Sequence, residues 1–140
     1  MTLYYLDTCI WLNLFQKEGD PTKGKPYWEI AEEFIGEYKG EIAYSGIVLR
    51  ELEINLEKND FQRRKKFLEE SIFKKILVIE EDKQKARKLE SMYGFTISFY
   101  DLVHMFTTKR IGAILITRDK QLLRVAKENG VSVKKPEELL

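Results

Sequence analysis

The sequence predicts an α/β protein: a three-layer α/β/α sandwich with a central parallel sheet of about five strands. Three observations predict it. Apolar, strand-length runs recur at residues 3–6, 41–44, 76–79, 113–116 and 131–133. Helix-length stretches with apolar residues three and four apart separate them, the connection that parallel strands require. The first and fourth runs are apolar at consecutive positions, as in strands covered by helices on both faces.

Each element follows from local signals. Leu3-Tyr4-Tyr5-Leu6 is the first strand. A helix is expected at 8–15, with Thr8 as its N-cap and with Ile10 and Leu14, and Trp11 and Phe15, at helical spacing. Residues 18–25, with Gly19, Pro21 and Gly24, read as a loop. Pro26 suits the first turn of the next helix, where a missing N–H is tolerated; Ile30, Phe34 and Tyr38 give it a stripe and Lys39-Gly40 ends it. A strand at 41–44 leads to a helix at 45–56, and Asn59-Asp60 breaks the chain before a very charged helix at 61–73. A strand at 76–79 precedes a helix at 81–93, closed by Gly94. The helix at 98–110 passes through Gly112 into the strand ending at Ile116. A last helix at 119–129 stops at Gly130, before an edge strand at 131–133 and a final turn at 136–140.

With 140 residues, the chain has room for one domain, residues 1–140, with a proper core. Its 44% hydrophobic content is that of a soluble globular protein, and its net charge of +1 excludes a strongly basic nucleic-acid binder or an acidic disordered segment. Any nucleic-acid contact would rest on local patches. The single cysteine, Cys9, excludes an intramolecular disulfide. There is no signal-peptide pattern and no apolar run of the roughly 18–20 residues that cross a bilayer, so a cytoplasmic protein with no membrane association is expected.

The informative feature occurs twice: an apolar strand runs into a carboxylate, at Asp7 and, after Thr117-Arg118, at Asp119. Ligands of open parallel sheets bind beyond the carboxyl ends of the strands, so two such acids can face each other although more than a hundred residues separate them. Clustered carboxylates repel and call for a cation or a shared proton. Each acid also has a plainer reading. Asp7 and Asp119 are good helix N-caps. Asp101 stands three residues after Ser98, a capping-box spacing. Glu51 fits an exposed helix face.

Taken as a set, these residues resemble the PIN domain, the ribonuclease fold of the VapC toxins and of several RNA-processing proteins. Tyr5-Leu6-Asp7-Thr8 resembles the family's apolar strand, Asp, then Ser or Thr. Ser45 to Leu52 resembles its Ser, five residues, then Glu-Leu. Asp101-Leu102-Val103-His104, Gly112 and Ile114-Leu115-Ile116-Thr117-Arg118-Asp119 resemble its longest motif. The resemblance runs along essentially the whole chain in order. Met105-Phe106-Thr107-Thr108 departs from it, where members often have small residues.

The resemblance implies a metal-dependent endoribonuclease, most simply the toxin of a type II toxin–antitoxin pair. Its acidic positions fall on Asp7, Glu51, Asp101 and Asp119, and its hydroxyl on Thr117, with Thr8 a weaker choice. Hard oxygen ligands suit Mg2+ or Mn2+, and one His with one Cys make no zinc cluster. Asp7 and Asp101 are the expected principal ligands; Asp119 binds directly or through water; Glu51 holds a second ion or orients the attacking water. The implied partners are an RNA substrate, an antitoxin protein and a second copy in a homodimer. His104 is read as a packed residue or one that supports a site acid, Cys9 as a small core residue, and Arg118 as either a phosphate contact or an exposed side chain. Arg63-Arg64-Lys65-Lys66, Lys74-Lys75 and Lys109-Arg110 are possible RNA contacts, although Glu69-Glu70 makes a solvated face the plainer reading of the first. Trp11, Leu14, Phe15, Tyr27 and Trp28 exceed what a small core needs and are expected to leave some apolar surface for a partner. The alternatives are a PIN nuclease in RNA maturation and a non-catalytic binding module. An aspartyl phosphatase would want an acid at position 9, where Cys9 stands.

Overall fold

The computed structural model describes residues 2–19, 22 and 24–140, so Asp20, Pro21 and Lys23 of the expected loop lie outside the described residues. Five parallel strands form one sheet in the order β3-β2-β1-β4-β5. In chain order the elements are β1 (Tyr4–Leu6), α1 (Thr8–Phe15), α2 (Tyr27–Glu37), β2 (Ile42–Ser45), α3 (Gly46–Asn55), α4 (Lys58–Glu70), β3 (Lys74–Ile76), α5 (Glu80–Met92), α6 (Phe99–Ile111), β4 (Ile114–Ile116), α7 (Lys120–Glu128) and β5 (Val133–Lys134), with 3-10 turns at Lys39–Glu41 and Pro136–Leu139.

β1 is central because its neighbours shield it from both sides. Tyr4 pairs with Ile42 of β2 and Ile114 of β4, and Tyr5 and Leu6 are wholly buried. The chain moves outward from β1 to β2 and β3, then crosses back to β4 and β5. The order therefore reverses between β1 and β4, the position where doubly wound sheets open a crevice. Gly112 makes the return possible: at φ 68° it closes α6 in the left-handed conformation that glycine adopts most readily. No helix of the described residues is long and apolar enough to cross a membrane.

Four details differ from the sequence reading. Asn59 and Asp60 do not break the chain but lie in the first turn of α4, which runs Lys58–Glu70 rather than 61–73. The third strand is Lys74–Ile76, not 76–79, and pairs with Ala43–Ser45. It lies at the edge of the sheet, where water covers one side and lysines are favoured, so apolar content was the wrong guide. Leu77 beyond it is 77% exposed. The last strand is Val133–Lys134, not 131–133, because the Val131 amide is used on Ala126 O at the end of α7. Trp11 and Phe15 are core residues rather than free surface. Trp11 meets Phe73 edge-on with ring centroids 5.3 Å apart, and Phe67 packs on Phe15 at 6.1 Å. α4 thus covers the aromatic face of α1, and its Arg64 lies 4.8 Å over the Phe15 ring.

Candidate metal centre

The site starts from the parallel pairing of β1 with β4. The Asp7 amide donates to Ile116 O at 2.9 Å, which places the residue after β1 beside the residue after β4. Asp7 is also the N-cap of α1, a role the sequence reading gave to Thr8; its Oδ1 accepts from Thr8 N at 2.8 Å. Its Oδ2 accepts from Thr117 Oγ1 at 2.8 Å and from the Cys9 thiol at 3.2 Å. Capping and site-building are thus one geometry, since a cap must stand at the strand end where the crevice opens.

Glu51 reaches the same place from α3. Its Oε1 accepts from Thr8 Oγ1 at 2.8 Å and from His104 Nε2 at 2.5 Å. A carboxylate only accepts, so His104 Nε2 carries a hydrogen. The imidazole is completely buried, and its Nδ1 is 2.6 Å from the Tyr5 hydroxyl, which is 2.6 Å from Ser45 Oγ. Ser45 itself caps α3 through Ile47 N. The chain Ser45–Tyr5–His104–Glu51 thus ties β2, β1, α6 and α3 into one buried polar network. Oxygens of Asp7 and Glu51 and a nitrogen of His104 all lie within 4.8 Å of one another.

Asp101 precedes His104 by one turn on α6, N-capped by Ser98, which accepts from Asp101 N at 3.4 Å. The expected capping box is half formed: among the described residues, nothing donates a hydrogen bond to the Asp101 carboxylate. Burial, then the charge of Asp7, followed by Glu51 and Asp119, pushes its pKa up to about 7 against the pull of His104. Asp119 is exposed and caps α7 by accepting from Leu122 N at 3.0 Å, while its own amide donates to Thr117 Oγ1. Asp101 and Asp119 stand outside the tightest ligand set.

The electrostatics describe a site short of positive charge. Burial raises the Asp7 pKa despite His104 and the hydrogen bonds of Thr117 and Cys9. Burial would also raise Glu51, yet the His104 and Thr8 hydrogen bonds hold it below the usual range. For His104, burial opposes the charge and is outweighed by Glu51 and by the charges of Asp7 and Asp101, so its pKa rises. Hard oxygen donors and an acid that the protein leaves without a hydrogen-bond donor fit a divalent cation. His104 fits it less well as a ligand, because both ring nitrogens are already engaged.

The sequence reading named the acids, the Thr117 and Thr8 hydroxyls and a packed or supporting His104, and missed Tyr5, Ser45 and the Cys9 thiol. Tyr5 carried a signal, since a tyrosine in a strand buried on both faces needs a partner for its hydroxyl. Cys9 is a thiol donor to Asp7 rather than a plain core residue, and burial with the charge of Asp7 raises its pKa. Arg118 is neither exposed nor free: it pairs with Glu137 at 2.9 Å and lies 4.1 Å over the Tyr27 ring.

The family model described as the PIN domain matches residues 4–128. A comparison with curated protein sequences finds no match. Among solved structures, the chain resembles VapBC2 from Rickettsia felis bound to a DNA fragment from their promoter, at TM-score 0.71 and 19% identity, covering 96% of this chain and 98% of the other. It resembles DNA-bound VapBC from Salmonella typhimurium at 0.69 and 18%, covering 97% and 99%. A toxin–antitoxin complex from Klebsiella pneumoniae follows at 0.68 and 20%, covering 95% and 97%.

Proposed function

The chain belongs to the PIN domain family, and from that membership and its own acidic site we propose that it is a divalent-metal-dependent endoribonuclease, the toxin of a type II toxin–antitoxin pair. One observation carries the nuclease reading. Asp7 and Glu51 meet beside His104 at the sheet's switch point, and burial together with the charges of Asp7 and Glu51 raises the Asp101 pKa to about 7. A binding module gains nothing from such repulsion, whereas a cation site needs it.

Asp7 and Asp101 would hold the ion, Mg2+ or Mn2+, with Asp119 a further ligand directly or through water. When bound, the ion supplies Lewis-acid chemistry, offsetting charge on the scissile phosphate and acidifying water. The chain's residues do the rest. Thr117, Cys9 and Thr8 N fix both Asp7 oxygens. Thr8 and His104 occupy Glu51 Oε1 and leave Oε2 to orient the attacking water and take its proton. By family resemblance the products carry a 5′-phosphate and a 3′-hydroxyl. The toxin reading is supported by the fold likeness to VapBC proteins and to a toxin–antitoxin complex. It entails an antitoxin partner, a homodimer and a cytoplasmic setting.

The test is cleavage of total RNA by the purified protein in Mg2+, Mn2+ or EDTA. Cleavage is expected with either ion, absent in EDTA, and lost in both Asp7→Asn and Asp101→Asn. Cleavage that persists in EDTA, or in both variants, overturns the mechanism.

A further inference from the structure

Beyond the end of β4, residues 117–119 carry two parts of the acidic site. Thr117 Oγ1 donates to Asp7 Oδ2 at 2.8 Å and accepts from Asp119 N at 3.1 Å, so one hydroxyl links the two acids. The Thr117 amide donates to Lys134 O of β5 at 3.0 Å, and the Arg118 amide donates to the Cys9 sulfur. Whatever fixes Arg118 therefore fixes the backbone on both sides of it, with Thr117 before and Asp119 after.

The Arg118 side chain is fastened away from the acids. It is 12% exposed, and its Nη1 donates to Glu137 Oε2 at 2.9 Å. The guanidinium lies 4.1 Å over the Tyr27 ring, and its Nε and Nη2 are buried with no hydrogen-bond partner among the described residues. Burial would raise the Glu137 pKa, yet the Arg118 hydrogen bond and charge hold it below the usual range, so the pair is charged at neutral pH. A buried cation that loses its carboxylate is left uncompensated and leaves its place. The charges that chiefly move Asp7 and Asp101 are those of His104, Glu51, Asp119 and each other, so Arg118 does not serve as their counter-ion. Glu137 sits in the 3-10 turn Pro136–Leu139, which Tyr38 holds by donating its hydroxyl to Leu139 O at 2.7 Å. Tyr27 opens α2. The bracket thus ties the site segment to two elements that carry no site acid.

We propose that Arg118 is a positioning residue of the acidic site: its bracket to Glu137 and Tyr27 fixes Thr117 and Asp119, and through Thr117 the Asp7 carboxylate, without touching substrate. It rests on the metal reading of that site, because metal affinity is what the bracket tunes. Groups that orient a ligand from behind govern how well it meets the ion, and removing one costs about 10–100-fold in affinity. Arg118 acts one residue further back, which puts its effect at the low end.

The experiment titrates Mn2+ into the metal-free full chain and reads the free ion by electron paramagnetic resonance. Urea unfolding and binding of a labelled 12-nucleotide single-stranded RNA in EDTA are measured alongside. Arg118→Ala and Glu137→Ala are each expected to weaken Mn2+ binding roughly tenfold. Arg118→Ala/Glu137→Ala is expected to weaken it no further than either single change, because both break one bracket. RNA affinity in EDTA and its salt slope are expected to stay as in the wild type. Phe34→Leu, a core change against Tyr4 and Tyr38, is expected to lower stability and leave Mn2+ affinity within about twofold. Wild-type Mn2+ affinity in both single variants overturns the bracket. An equal loss of Mn2+ affinity in Phe34→Leu also overturns it, since general instability then accounts for the effect. Weaker RNA binding in Arg118→Ala, with the slope of log K against log salt reduced by about 1, makes Arg118 a phosphate contact and overturns it too. A wild type whose Mn2+ affinity depends on the bracket but which cleaves no RNA sinks the nuclease reading alone. A wild type that binds no Mn2+ sinks the metal reading and the bracket together.

Discussion

Asp101→Asn should make the metal-free protein more stable while removing its response to divalent ions. The folded protein raises the Asp101 pKa from 3.8 to about 7, with burial first and the charge of Asp7 next. Between about pH 4 and 7 the folded chain therefore keeps a proton that the unfolded chain has released, so stability falls as pH rises through that window, and the full penalty stands above pH 7. At about 1.4 kcal/mol per pH unit, the charged form opposes folding by roughly 4 kcal/mol. The side chain is only partly buried and shares the repulsion with Asp7, so one substitution recovers roughly 2 kcal/mol of it. With an unfolding entropy of about 2.1 cal/mol/K per residue, 140 residues convert that into a rise in Tm of about 7 °C at pH 8 in EDTA. At pH 4 the difference should vanish, and high salt should shrink it. Adding Mn2+ at a hundredfold its Kd should stabilise the wild type by about 2.7 kcal/mol and the variant far less. Differential scanning fluorimetry at pH 4, 6 and 8, with EDTA or Mn2+, reads all of this. An Asp101→Asn protein no more stable than wild type at pH 8 in EDTA would refute the idea that the site carries unresolved negative charge.

Three other outcomes follow from the same geometry. Tyr5→Phe removes the hydroxyl between His104 Nδ1 and Ser45 Oγ; it should lower stability by roughly 1–3 kcal/mol in urea unfolding and reduce kcat more than KM, because Glu51 loses the support of its imidazole partner. Arg110→Ala strands the Asp82 carboxylate, which is 2% exposed and otherwise bonded to Thr107 Oγ1 and Ile79 N; a loss of roughly 3–5 kcal/mol is expected, with Asp82→Asn/Arg110→Ala recovering part of it. Trp11→Ala should cost roughly 3–5 kcal/mol by opening the aromatic contact between α1 and Phe73, which follows α4, and a Tm within about 2 °C of wild type would show that Trp11 is not the core residue described above.

What could be read in the sequence was whatever is local in the chain. Leu3 to Leu6 with Asp7, and Ile114 to Ile116 with Thr117, announce a buried parallel strand and its terminal polar residue, because burial on both faces forces a continuous apolar run. β3 escaped the same reasoning because an edge strand is only half covered, and Lys74-Lys75 satisfy it as well as valines would. The order of Asp7, Glu51, Asp101 and Asp119 was equally plain, since family resemblance depends on residue type and spacing alone.

Tertiary structure decided which of these acids share a field and what holds them. Glu51 had looked the weakest member, a charge on a helix face. Its place beside Asp7 depends on His104, 53 residues away, and on Thr8, 43 residues away. Asp119, one of the two acids that first pointed to a site, is exposed and spends its carboxylate on the start of α7. The basic run at Arg63 to Lys66 is loudest in the sequence yet is balanced by Asp60 and Glu69-Glu70. Hydrogen bonds and Coulomb energies depend on distance in space. The sequence by itself determined most strands, caps and the acid series, and left to the fold the distances that bring Asp7 and Glu51 together beside His104.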